Sequence, residues 1–218
     1  MVNFLNQYDE DGTGIIKAYV FSYVDSPSDL FDMYGRLVGD IIISKDDRDI
    51  NQWLAEEGWA FPTFYNSMTG QEITILDSKS KDARTNSKGI WKDYSDTLAP
   101  FDTSLYLPPK SEGEIDSKTD MGKVNLPKIF RRQVQYEVSK AAEVTNQISL
   151  RNYLETQKKD VCYTTTEFFN KGEEAEKNMF ATFIDQDGKI NFAPRDLVFI
   201  EKESELKNAN GKKIDKWY

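Results

Sequence analysis

Tyr34-Gly35-Arg36-Leu37-Val38, then Asp49-Ile50-Asn51-Gln52-Trp53-Leu54-Ala55-Glu56-Glu57-Gly58, then Gly89-Ile90-Trp91: these three runs frame the chain. The first is a turn feeding an apolar strand over 37–44, closed by the charged turn Lys45-Asp46-Asp47-Arg48. In the second, Asp49 suits a helix N-cap, because its carboxylate can accept from a backbone N–H that has no partner inside the helix. Ile50, Trp53 and Leu54 then fall at i, i+3 and i+4, which gives one apolar face. Gly58 supplies the positive φ that ends such a helix. A further helical stretch starts at Thr69-Gly70-Gln71-Glu72, turns Ile73, Leu76, Ser80, Ala83 and Ser87 inward, and runs toward the third run.

Upstream, Ile15 to Val24 is rich in β-branched and aromatic residues and is expected to be a strand. It should pair with 37–44 across the loop Asp25-Ser26-Pro27-Ser28-Asp29. Residues 1–14 are polar, and Asp9-Glu10-Asp11-Gly12 has the look of a calcium loop. Aligned as one, it puts Gln7 and Ala18 at the first and twelfth ligand positions, so a plain turn is expected. Downstream, 95–127 carries Pro100, Pro108, Pro109 and Pro127 among polar residues and is long for a connection inside one compact unit. A boundary is placed there, giving domains 1–94 and 128–218 joined by a Pro-rich linker or arm. Both an arm wrapping a neighbour and a mobile linker fit that composition.

The last region is expected to be a small α+β unit. Val134, Tyr136 and Val138 alternate with Gln133, Gln135 and Glu137 in strand fashion, with a helix as the competing reading. Ser149 is a candidate cap for a helix through Leu154, and Thr165 or Thr166 for one ending near Gly172. Asp187-Gly188 marks a type I′ hairpin between 179–184 and 189–192, and Leu197 to Ile200 a last strand. Asp185-Gln186-Asp187-Gly188 is a turn and not a calcium loop, since Phe183 and Pro194 occupy its end positions.

Composition narrows the chemistry. The chain has 218 residues, a hydrophobic fraction of 39% and no histidine. Histidine-based zinc sites and imidazole bases are therefore excluded, and any metal would sit among carboxylates and carbonyls. The single cysteine, Cys162, allows no internal disulfide and is expected to be a buried thiol. No apolar run is long enough to span a membrane, and the N-terminus lacks the pattern of a signal peptide. The net charge is −9, and residues 1–100 carry 17 acidic against 9 basic side chains. That balance is awkward for a free nucleic-acid binder, whose affinity comes largely from neutralising phosphates.

With Asn51, Leu54, Gly58, Ala60 and Gly89-Ile90-Trp91 at suitable spacing behind Tyr34-Gly35-Arg36, residues 15–93 resemble the second half of a staphylococcal-nuclease-like (thermonuclease) domain. The resemblance implies an α+β fold built on a truncated OB-like barrel with helices. In that family, cleavage relies on a carboxylate-held Ca²⁺, a glutamate that handles the attacking water, and two arginines on the phosphate. Arg36 matches one of those arginines. The carboxylate-bearing half is not found upstream. Arg36 is therefore a remnant candidate, the alternative being a turn residue in a surface ion pair, and no catalytic set, metal or cofactor is expected.

Other residues invite binding roles. Lys128, Arg131, Arg132 and Lys140 form the best basic cluster for a nucleic-acid or partner contact, against a solvated face or ion pairs. Phe61, Phe64 and Tyr65 are candidates for an interface. Trp53, Trp59 and Trp91 are expected in the core rather than as stacking platforms. A half-barrel leaves strand edges and an apolar face open, so the leading expectation is a structural or assembly protein in a homo-oligomer with other structural proteins. The chain as a whole resembles neck or tail ring components of crAss-like phages, which implies a virion location after assembly in the host cytoplasm. A metal-dependent nuclease completed by residues elsewhere or by a partner is the alternative, and a non-catalytic DNA-binding module the third reading.

Overall fold

The computed structural model describes residues 1–22, 27–32, 35–92, 94, 126–142, 148–201 and 206–214. Most of the expected arm, part of the loop at 25–29, and Tyr34 lie outside the described residues. The fold is α+β, and among the described residues the strands form small sheets and no closed barrel.

The first sheet has three strands, β1 (Ala18–Phe21), β2 (Asp40–Ile43) and β3 (Arg48–Asp49), in that order. β1 and β2 are antiparallel, with Ala18 opposite Ile43 and Phe21 opposite Asp40. Of the expected strand Ile15–Val24, residues 15–17 and Ser22 lie outside β1, and Tyr23 and Val24 lie outside the described residues. Ahead of it, α1 (Val2–Leu5) adds a turn of helix that the polar N-terminus did not announce. Phe4 on α1 stacks on Trp53 with ring centroids 4.0 Å apart.

Helix α2 (Ile50–Glu56) starts as expected, with Asp49 Oδ1 accepting from Gln52 N at 3.0 Å. It ends before Gly58 at φ +68°. Helix α3 (Gly70–Thr85) opens with a capping box: Thr69 Oγ1 accepts from Glu72 N, and Glu72 Oε2 accepts from Thr69 N at 2.6 Å. Ile73, Ser80 and Ala83 are buried and Leu76 half-buried, while Ser87 lies exposed past the helix end. Arg48 and Lys79 both bond Glu56, at 3.0 and 3.1 Å, tying the hairpin and α3 to α2.

A second sheet has the order β4 (Phe64–Tyr65), β7 (Leu197–Phe199), β5 (Val161–Thr164) and β6 (Asn178–Met179). β4 pairs with β7 in parallel, Phe64 opposite Val198. Phe64, Ile73, Tyr163, Ala175 and Val198 form one buried cluster. This sheet and this cluster draw on residues from both sides of 95–127.

The region 134–138 is a helix and not a strand. It belongs to α4 (Pro127–Ala141), with Pro127 at its first turn. Ile129 and Gln133 are buried and Tyr136 half-buried, at i, i+4 and i+7, and Tyr136 and Tyr153 pack with ring centroids 5.5 Å apart. That single buried stripe against α5 (Leu150–Gln157) outweighs the β-propensity of Val134 and Val138. α5 is capped by Ser149 as expected. The next helix, α6 (Thr165–Lys171), is capped one residue early, by Thr164, and stops at Gly172.

The type I′ hairpin is also corrected. Only Gly188 is at positive φ, +82°, whereas a type I′ turn needs two such residues. Gly188 N donates to Asp185 O, Asp185 N donates to Lys189 O at 2.9 Å, and a single bridge joins Ile184 to Ile190. The stretch before it, Phe180–Phe183, is a 3-10 turn and not a strand.

Candidate functional site

Arg36 sits at the end of a turn closed by Gly35 N to Asp32 O at 2.8 Å, with Gly35 at φ +76°. Arg36 N donates to Asp32 Oδ1 at 2.9 Å, and its guanidinium meets Asp32 Oδ2 through both Nε and Nη2 at 2.6 Å. The exposed guanidinium is thus engaged by the carboxylate of its own turn. Among the described residues, no group of three or more Asp, Glu, Cys or His side chains could hold a metal ion.

A small cleft of about 50 Å³ lies between β2, α2 and α3, lined in part by Asp40, Asp49 and Glu72. Burial, with the charge of Asp49 added, pushes the Asp40 carboxyl up, while a hydrogen bond from Asn51 Nδ2 pulls it back. Asp49 caps α2 and Glu72 caps α3, so these two carboxylates already have structural partners.

The basic cluster does not assemble on one surface. Arg132 donates to both oxygens of Asp160, through Nε and, at 2.9 Å, through Nη2. Lys128 Nζ lies 3.6 Å from Asp160 Oδ1 and 4.1 Å from the Phe199 ring centroid, over the ring. The Lys128 and Arg132 side chains keep only 12% and 13% of their exposure, so they face inward. Burial lowers the Lys128 pKa against the pull of Asp160. Burial alone would raise Asp160, but the Arg132 hydrogen bond and the Lys128 and Arg132 charges outweigh it and hold the carboxyl below its usual range. Lys140 pairs separately with Glu137 at 3.4 Å, and Arg131 is exposed. Lys128 and Arg132 therefore form an internal clamp that pins α4 to the turn before β5. Asp160 was missed in the sequence because nothing in Lys158-Lys159-Asp160 tells which basic pair will close on it.

Of the interface candidates Phe61, Phe64 and Tyr65, only Phe64 is sealed in the core, and the other two are half-buried. Phe64 is fully buried between β7 and α3. Phe61 packs on Trp91 and Tyr94, and Tyr65 is half-buried beside Phe199. Trp53 and Trp91 are core residues, but Trp59 is 59% exposed.

A group of exposed apolar side chains lies on the first sheet. Tyr19, Val20, Phe21 and Ile41 are 45–51% exposed, and Leu37 and Val38 beside them are exposed as well. All four β1 residues are open to solvent. An apolar face on a half-barrel was expected, but the individual residues were not legible, because alternation does not tell which face a missing layer would have covered.

In comparisons with known proteins, residues 6–93 match the family described as staphylococcal nuclease homologue, a stretch shorter than half the chain. It extends the resemblance back from residue 15 and covers the whole first sheet. No curated protein and no solved structure matches the chain.

Proposed function

We propose that this chain is a structural or assembly protein that acts through protein–protein contacts in an oligomer, with its nuclease-like domain serving as a docking body. The observation that carries this reading is the exposed apolar strand β1 with its neighbour β2, where Val20 and Ile41 on one face and Tyr19 and Phe21 on the other remain about half exposed. Large apolar side chains gathered on one small sheet favour association, because each Å² removed from water returns about 25 cal/mol. The engagement of Arg36 by Asp32 supports the same reading, since a phosphate would have to displace that carboxylate. The partners proposed are further copies and other structural proteins. The setting proposed is the neck or tail ring of a tailed-phage virion, which rests on the overall resemblance of the chain alone.

The test is cleavage of single- and double-stranded DNA by the full chain with Ca²⁺, Mg²⁺ or Mn²⁺, beside Arg36→Ala, with the oligomeric state measured by sedimentation on the same preparation. The expected result is an oligomer and no cleavage that the substitution alters. Metal-dependent cleavage abolished by Arg36→Ala overturns the proposal in favour of a nuclease whose carboxylates are supplied elsewhere. A monomer that binds DNA with a steep salt dependence overturns it in favour of a DNA-binding module.

A further inference from the structure

We propose that the occupant of the open β1 edge is a second copy of this chain, paired antiparallel so that two three-stranded sheets become one; this deepens the assembly reading above and rests on it. The backbone fixes which groups are available. Ser44 N donates to Lys17 O at 3.0 Å, and Ala18 lies opposite Ile43. In an antiparallel ladder, hydrogen-bonded and non-hydrogen-bonded pairs alternate. Lys17, Tyr19 and Phe21 therefore direct their N–H and C=O groups toward β2. Ala18 and Val20 direct theirs away from it, to the outer edge, where no partner strand lies among the described residues.

That edge has none of the charges, prolines or bulges that keep edge strands from pairing. Ala18-Tyr19-Val20-Phe21 carries no charge, and all four residues are exposed to solvent, with the Tyr19 hydroxyl donating to Asp47 at 3.0 Å. A helix or a folded partner laid on one face would leave the other face and the edge groups exposed. A strand added to the edge satisfies the edge groups and extends both faces, and β1 itself has the composition required.

The proposed register centres the two-fold axis on Val20, which pairs the larger of the two outward-bonding residues with itself. With Val20 of one copy opposite Val20 of the other, their outward groups bond each other. Val20 also lies opposite Ile41 within each copy, so a row Ile41–Val20–Val20–Ile41 crosses the joint on one face. On the other face, Tyr19 of each copy meets Phe21 of the other, an aromatic cross-strand pair. The ends agree in charge. Lys17 precedes β1, and Asp40 lies opposite Phe21 on the same face as Lys17 by strand alternation. Antiparallel pairing brings each Lys17 end toward the partner's Asp40 end, whereas parallel pairing would set like charges together.

The experiment is sedimentation of the full chain and of Val20→Pro, with Val20→Lys as a second variant and far-UV circular dichroism as the check on folding. Proline at position 20 removes an outward N–H without touching the bonds to β2. In parallel, Val20→Cys is oxidised mildly beside Ala18→Cys. Facing residues of a hydrogen-bonded pair have Cα atoms about 5.5 Å apart, within disulfide range, whereas Ala18 would face Ser22 of the other copy. The expected results are association weakened at least about tenfold by either Val20 variant and a homodisulfide from Val20→Cys but not from Ala18→Cys. An oligomer unchanged by Val20→Lys, with no disulfide from Val20→Cys, overturns the β1 joint while leaving the assembly reading standing. A wild-type chain that stays monomeric overturns both.

Discussion

Gly58 and Gly89 meet backbone to backbone. Ile90 N donates to the Gly58 carbonyl at 2.8 Å. A Cβ on Gly89 would run into that same carbonyl, and a Cβ on Gly58 would run into the Lys88 carbonyl. Both residues are also in the left-handed region, at φ +68° and +51°. This contact docks the end of α2 against the 3-10 turn Gly89–Lys92, and it gives a physical reason for glycine at both positions of the framing motif. Gly89→Ala should cost about 2–4 kcal/mol, from the left-handed backbone and the overpacking together. Gly14→Ala, also at positive φ but with open space around it, should cost only about 1–2 kcal/mol. Urea unfolding followed by circular dichroism checks both, and equal losses would show that the close approach is not what matters.

Local chemistry explains what was legible in the sequence. The Asp49 cap, the Gly58 stop, the Thr69 start and the Ser149 cap each depend on residues within a few positions of one another. The β1–β2 pairing was legible because both strands are apolar and follow one another in the chain. What could not be read depends on distant partners. Helix α4 is helical because its stripe meets α5. Trp59 is exposed although Gly58 before it and Pro62 and Phe64 after it are buried, a local orientation that the spacing of aromatic residues does not encode. Phe64 is buried because β7, more than 130 residues later in sequence, supplies its neighbour. The Lys128–Asp160–Arg132 clamp is likewise a property of the fold and not of any short motif.

The clamp gives stability an acid limb. The Asp160 pKa in the fold lies below its ordinary value. The unfolded chain therefore binds a proton first, and the stabilisation is present above the unfolded carboxylate value of about 4 and lost as pH falls through the folded one. Asp160→Asn should remove that contribution. At neutral pH it should cost about 3–5 kcal/mol, because Lys128 and Arg132 remain inside without a counter-charge. Urea midpoints from neutral pH down to acid check this: the gap between wild type and variant should narrow as pH falls. A constant gap would mean that the carboxylate charge is not what Asp160 contributes.

Cys162 should be inert in the native protein. It is fully buried on β5, and burial pushes its thiol up to about 12. At mildly alkaline pH only about one molecule in ten thousand would carry the reactive thiolate. Labelling with a thiol reagent should be negligible in buffer and complete in denaturant. Rapid native labelling would show that β5 opens, or that the thiol is not sealed where it lies.

Phe64 decides whether the chain unfolds as one body. Its ring lies at 0% exposure among Ile73, Tyr163, Ala175 and Val198, and its backbone pairs with β7. Asn66 Oδ1 accepts from Glu201 N at 2.9 Å, and Ser67 donates to Glu201 Oε2 at 2.7 Å, at the same seam. Phe64→Ala should cost about 3–5 kcal/mol through lost burial and the cavity left behind. If the seam couples the two sides of 95–127, tryptophan fluorescence and far-UV circular dichroism should report one coincident transition in wild type, and the variant should shift both probes together. In a Trp217→Phe background the fluorescence comes only from Trp53, Trp59 and Trp91, before 95–127, whereas far-UV circular dichroism sums α2 and α3 before it and α4 to α6 after it. Should Phe64→Ala shift the circular dichroism transition while leaving the fluorescence one in place, the two sides would be independent units that merely touch at β4 and β7.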